Sequence, residues 1–158
     1  MLNNLKKLVA ALGTYTPSGA NTITWNPGIP VEIVRLIFVW TTANSAATSG
    51  ITAQRRPVAG AAANQETLGT FELPLAAAIA AGVVSYLDVG FDVAQAVAVD
   101  GSLVDVARVH WTINPGQDFA LVSDGDGTAG VCDVFVEYVP KPFAGEEIED
   151  ALALTQLS

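Results

Sequence analysis

Few side chains in this chain are of a type that does chemistry. There is one histidine, His110, and one cysteine, Cys132. A Ser-His-Asp or Cys-His site has to use that histidine. His110 shares a strand face with Arg108 and Thr112 and alternates with Val109 and Trp111, the period-two pattern of a strand with one polar face. Asp105 and Asp118 are candidate partners, yet no motif sets a nucleophile beside the ring and no Gly-x-Ser-x-Gly elbow occurs. One Cys and one His fall short of a closed tetrahedral zinc site. Cys132 lies in an apolar run without a strongly basic sequence neighbour, which predicts a small core residue and not a reactive thiolate. A single cysteine forms no internal disulfide, and an intracellular origin fits. Asp124 and Asp126 stand two apart, as in calcium loops. The EF-hand pattern nevertheless fails, with Ala129 at its sixth position and Phe135 at its twelfth. A Gly- and Asp-rich turn accounts for the same residues without a metal. No Gly-Lys-Ser phosphate loop and no dinucleotide fingerprint is present. The expectation is a protein that is not an enzyme, with no catalytic residue, no resident metal and no cofactor.

Charge narrows the partners. The formal net charge is −9, from seven Lys and Arg against sixteen Asp and Glu. Phosphate backbones and anionic membranes need concentrated positive charge, so neither nucleic acid nor a membrane is expected as a partner. Arg55-Arg56 is the one adjacent arginine pair and reads as a solvated strand end. No apolar run reaches the length of a membrane-spanning helix, and the Leu8–Leu12 run after Lys6 and Lys7 is short for a secretory signal.

The elements that would position these residues are strands. Val31–Thr42 is the strongest, rich in β-branched and aromatic residues. Its first part alternates with Glu32 and Arg35. Its second part is apolar on both faces, which fits a central strand covered on both sides or a strand at a subunit interface. Further strands are predicted at Thr22–Trp25, Ile51–Arg56, Thr67–Leu73, Val83–Val89, Leu103–Ile113, Phe119–Ser123 and Val131–Val139, separated by Gly-, Pro- and Asn-rich breaks, and Phe91–Val99 reads as either a strand or an ordered loop. Asn114-Pro115-Gly116 and Asp124-Gly125-Asp126-Gly127 read as turns that join the last three strands into an antiparallel meander. Pro74 opens a short helical stretch at Leu75–Ala81. The fold class expected is all-β, an antiparallel β-sandwich or jelly roll of about eight strands with short terminal helices or arms.

The chain divides into an N-terminal arm or helix and linker at 1–20, a β-sandwich domain at 21–140 and an acidic C-terminal tail at 141–158. Leu2, Leu5, Leu8, Val9 and Leu12 fall on one helical face, and Gly13 is a plausible stop. In the tail, Glu146, Glu147, Glu149 and Asp150 precede a face formed by Ile148, Ala151, Leu152 and Thr155. That segment is either a frayed acidic tail or a peg that packs on a neighbouring copy through Ile148 and Leu152.

Three stretches carry a likeness to known proteins: Gly82-Val83-Val84-Ser85-Tyr86-Leu87-Asp88-Val89, the Pro115-Gly116-Gln117-Asp118 turn, and Thr128-Ala129-Gly130 leading into Val134–Pro140. Across its middle and last thirds the sequence resembles capsid decoration, or cement, proteins of tailed bacteriophages. The resemblance implies a small β-sandwich made in the host cytoplasm and carried on the capsid exterior, where it binds the major capsid protein as a homotrimer. It also implies that Met1–Gly13 is a contact arm anchored by Leu2, Leu5 and Leu8. The competing expectation is a carbohydrate- or receptor-binding β-sandwich of a phage fibre or spike, which would use exposed aromatics drawn from Trp25, Trp40, Trp111, Tyr15, Tyr86 and Tyr138.

Overall fold

Twelve residues from Val31 to Thr42 form the longest strand, and the rest of the fold is arranged around it. The structure is a computed structural model that describes residues 7–16, 18–19, 21–43, 49–58, 64–73, 80–89, 110–123 and 130–141. Nine strands are found among them: β1 (Leu8–Tyr15), β2 (Thr22–Trp25), β3 (Val31–Thr42), β4 (Ser49–Pro57), β5 (Glu66–Leu73), β6 (Val84–Asp88), β7 (Trp111–Ile113), β8 (Gln117–Ser123) and β9 (Val131–Pro140). They make two antiparallel sheets, an all-β sandwich. The first sheet runs β1-β9-β3-β6, and β7 pairs with β3 as well. β3 is long enough for β6 to occupy Arg35–Val39 of one edge while β7 occupies Val31–Ile33. The second sheet runs β2-β8-β4-β5.

Alternation along each strand sends one set of side chains between the sheets. Leu36, Phe38 and Trp40 of β3, Leu87 of β6, and Cys132, Val134 and Val136 of β9 meet Ile23, Ile51, Leu68, Phe71, Phe119 and Leu121 of the second sheet in one core. Three ring pairs cross between the sheets: Phe38 with Phe71 at 6.0 Å, Trp111 with Phe119 at 6.1 Å, and Trp25 with Tyr138 at 5.0 Å between centroids. Tilted and edge contacts of this kind add about 0.5–1.5 kcal/mol each beyond the area they bury. The indole of fully buried Trp40 donates to Ser85 Oγ at 3.2 Å, so its one polar atom is not stranded in the core.

Two expectations are corrected. β7, β8 and β9 are successive in sequence but do not form a meander. β7 lies in the first sheet, β8 between β2 and β4 of the second, and β9 between β1 and β3 of the first. The Asn114-Pro115-Gly116 break is a turn as expected, with Gln117 N–H donating to Asn114 C=O at 3.0 Å and Gly116 at φ 80°. Pro before a left-handed Gly is type II turn chemistry. That turn carries the chain across the sandwich instead of folding a hairpin.

The second correction concerns the N-terminal segment. Leu8–Leu12 is strand and not helix, because β1 pairs with β9 from Leu8↔Tyr138 to Tyr15↔Cys132. The Leu spacing suits a helix, but Ala10 and Leu12 also alternate onto the core. β9 supplies a full ladder of backbone partners that an isolated short helix lacks. A bulge between Ala11 and Gly13, with Gly13 at φ 133°, shifts the alternation so that Tyr15 is buried again. The sandwich therefore begins inside the segment expected to be an arm. The readings made for 91–99, 103–109, 124–127, most of the Leu75–Ala81 stretch and the C-terminal tail lie outside the described residues.

Candidate interaction surface

The residues first suspected of chemistry are mostly absorbed by structure. Cys132 is fully buried on the core face of β9, and burial, with Asp133 adding to it, pushes its thiol up to about 12. A thiol held protonated in the core is a poor nucleophile at neutral pH. Arg55 does end a strand but is not solvated. Its side chain is largely buried, its Nε donates to Glu66 Oε2 at 3.0 Å and its Nη1 to Thr112 C=O at 2.9 Å. It thus ties β4, β5 and β7 together across the end of the sandwich. Asp118 is half-buried in β8, opposite Arg56 in register. Asp105, Asp124 and Asp126 lie outside the described residues.

His110 takes part in a polar corner that sequence reading missed. Glu32 is only 5% exposed, although it carries a carboxylate on the central strand. His110 Nδ1 lies 2.8 Å from Glu32 Oε1, and Lys141 Nζ lies 3.0 Å from Oε2. Lys141 Nζ also donates to Thr112 Oγ1 at 3.4 Å. Glu32 sits opposite Thr112 of β7 and Val139 of β9 in the ladders. Each carboxylate oxygen therefore has its own cationic or imidazole donor, which offsets the cost of taking the charge out of water. Both donors are about half exposed, at 53% for His110 and 44% for Lys141. The arrangement fastens the strand ends that meet there.

The more distinctive feature is the outer face of the first sheet. Ala11, Phe135, Ile37 and Tyr86 stand side by side across β1, β9, β3 and β6. They alternate with core residues and stand outside the core cluster; Ala11 is exposed and the other three are partly exposed. The apolar run seen on both faces of β3 is thus covered by the second sheet on one face alone. On one side of this row lies a charged row: Val9, Glu137, Arg35 and Asp88. Arg35 is paired with Asp88, which raises its already high pKa chiefly through their hydrogen bond, and Lys7 lies 3.3 Å from Glu137. The Arg35 guanidinium also sits 5.2 Å from the Tyr86 ring centroid. On the other side are Thr14, Asp133, Val39 and Val84, with Thr14 Oγ1 donating to Asp133 at 3.0 Å.

Of the contact residues expected from sequence, Leu8 is described. It lies in edge strand β1, 36% exposed, next to Val9 at 60%. Leu2, Leu5, Ile148 and Leu152 lie outside the described residues. Trp40, Trp111 and Tyr15 are fully buried and Trp25 packs on Tyr138, which leaves Tyr86 as the aromatic of that group on the outer face. The signal for the row was present in the two-sided apolar half of β3, but Phe135 and Tyr86 joined it only through pairing.

No family model matches the chain, and no curated protein matches it in sequence. Among solved structures, that of the infectious bursal disease virus Gx strain is similar over 87% of this chain and 42% of the other, at 12% identity and a TM-score of 0.30. The chain thus spans less than half of that protein's length, and a likeness this slight carries no argument about function.

Proposed function

We propose that this chain is a non-enzymatic structural virion protein. It decorates and stabilises the capsid of a tailed phage by binding the lattice of major capsid protein as an oligomer. The observation that carries this reading is the partly exposed apolar row on the first sheet. Ile37 and Phe135 add nothing to the sandwich core, yet apolar side chains gathered on an outer face serve contact with another protein. The sequence resemblance to decoration proteins supports the same class, with three copies as the implied oligomer. A stiff sandwich suits the task, because a cement protein works by repeated moderate contacts and needs no reactive group.

The test is cosedimentation of the purified chain with emptied heads of the phage that encodes it. Saturable binding at a fixed ratio to capsid protein, with heads that resist heating better, is the expected result. Absence of binding, together with glycan-array binding lost in Tyr86→Ala, would replace this reading with a fibre or spike domain.

A further inference from the structure

We infer that the outer face of the first sheet is a self-pairing surface whose occupant is the same face of a second copy, related by a two-fold axis parallel to the strands and midway between β9 and β3. The inference goes beyond lattice binding and does not depend on it. An isologous contact requires that the patch complement itself under such an axis, and the ladder registers allow that to be checked residue by residue. The axis lays β9 over the copy's β3 and β1 over its β6 while keeping each row level. Phe135 then meets Ile37 of the copy, and the same contact recurs on the other side of the axis. Ala11, the smallest member of the row, meets Tyr86, the largest. In the next row Glu137 meets Arg35, so opposite charges face each other twice. An axis perpendicular to the strands would instead set Glu137 against Asp133 of the copy, like charge on like. The pattern therefore selects one of the two in-plane two-folds. Asp133 against Val39 and Asp88 against Val9 are not complementary, and both fall at the edges of the patch, where sheets crossing at about 30° splay apart.

The size of the face sets the strength. Four strands at about 4.8 Å spacing and three rows give a footprint of roughly 300 Å². That is well under the roughly 800 Å² per partner of a standard stable interface. The pair is therefore weak and reversible in solution and becomes significant where copies are held close together. Where such a two-fold axis crosses the three-fold axis of a trimer, the assembly closes at six copies.

Sedimentation equilibrium of the full chain at about 100 µM, a concentration able to populate micromolar pairs, is the test. The expected weight-average mass rises with concentration toward twice that of the unpaired unit, built from 16.4 kDa chains, and stays at the unpaired value in Phe135→Glu and in Ile37→Glu with the thermal midpoint little changed. Arg35→Glu weakens pairing on the order of tenfold through like-charge contact, and Arg35→Glu with Glu137→Arg restores it. A monomer or a bare trimer for the natural chain overturns the inference, as does an unchanged mass for a folded Phe135→Glu. If that variant loses capsid binding while the natural chain is monomeric, the face serves the capsid and the pairing is wrong. If it loses pairing but still binds heads, the two contacts are separate and the pairing stands.

Discussion

The two outer faces of the sandwich are built on the same plan and filled differently. Across the first sheet the row reads Ala11, Phe135, Ile37, Tyr86; across the second, Thr22, Val122, Thr52, Thr70. Both rows alternate with core residues, and apart from Ala11 both are made of residues that favour strands. Thr52 resembles valine in shape but carries a hydroxyl that water satisfies, whereas Ile37 and Phe135 offer water nothing. Neither row lies between the two sheets, so the contrast is not set by the sandwich core. It separates a face suited to solvent from a face suited to protein. The buried face of β3 completes the scale, because Phe38 occupies the core one residue from Ile37.

The largest effect expected is on that inner face. Phe38→Ala removes a fully buried ring that meets Phe71 and should destabilise the fold by about 3–5 kcal/mol, read from urea midpoints. The neighbouring change Ile37→Ala should cost well under half of that. Equal losses would show that Ile37 is packed as a core residue and would erase the distinction between the faces.

Next comes Ser85→Ala, which leaves the Trp40 indole N–H without its acceptor in the core and should cost about 1–3 kcal/mol. A loss near zero would mean that the indole finds another partner. Cys132 sharpens the same boundary. Its thiol is buried and its pKa is pushed up to about 12, so a thiol-directed dye at pH 8 should label the native protein no faster than it unfolds. Rapid labelling would place β9 at an open edge. The smallest effect is expected on the second sheet, where Thr70→Ala should change stability by about 0.5 kcal/mol or less and leave the sedimenting mass unchanged. A change in mass there would transfer the contact role to the other face.

Much of the strand inventory was legible because a strand announces itself locally. β-branched runs with period-two alternation mark β2, β3 and β9 almost residue for residue. Asn-Pro-Gly dictates a turn wherever it falls. The segment read as a helix shows where local evidence fails. Leu8, Leu12 and their neighbours fit both periods, and the decision was made by β9, more than a hundred residues away in sequence. The polar corner was equally hidden, since Glu32, His110 and Lys141 are distant in the chain and meet only at the strand ends.

What the sequence alone determined is therefore the class of the fold, most of its strands and the placement of its turns, all consequences of side-chain shape and spacing within a few residues. Tertiary structure decided which sheet each strand joins, that β7, β8 and β9 cross between sheets, and which face of β3 is turned away from the second sheet. The physical reason is that a strand's hydrogen-bonding edges look alike to every other strand. Its partners are selected only when whole faces are buried together, a cooperative choice that no local stretch of residues contains.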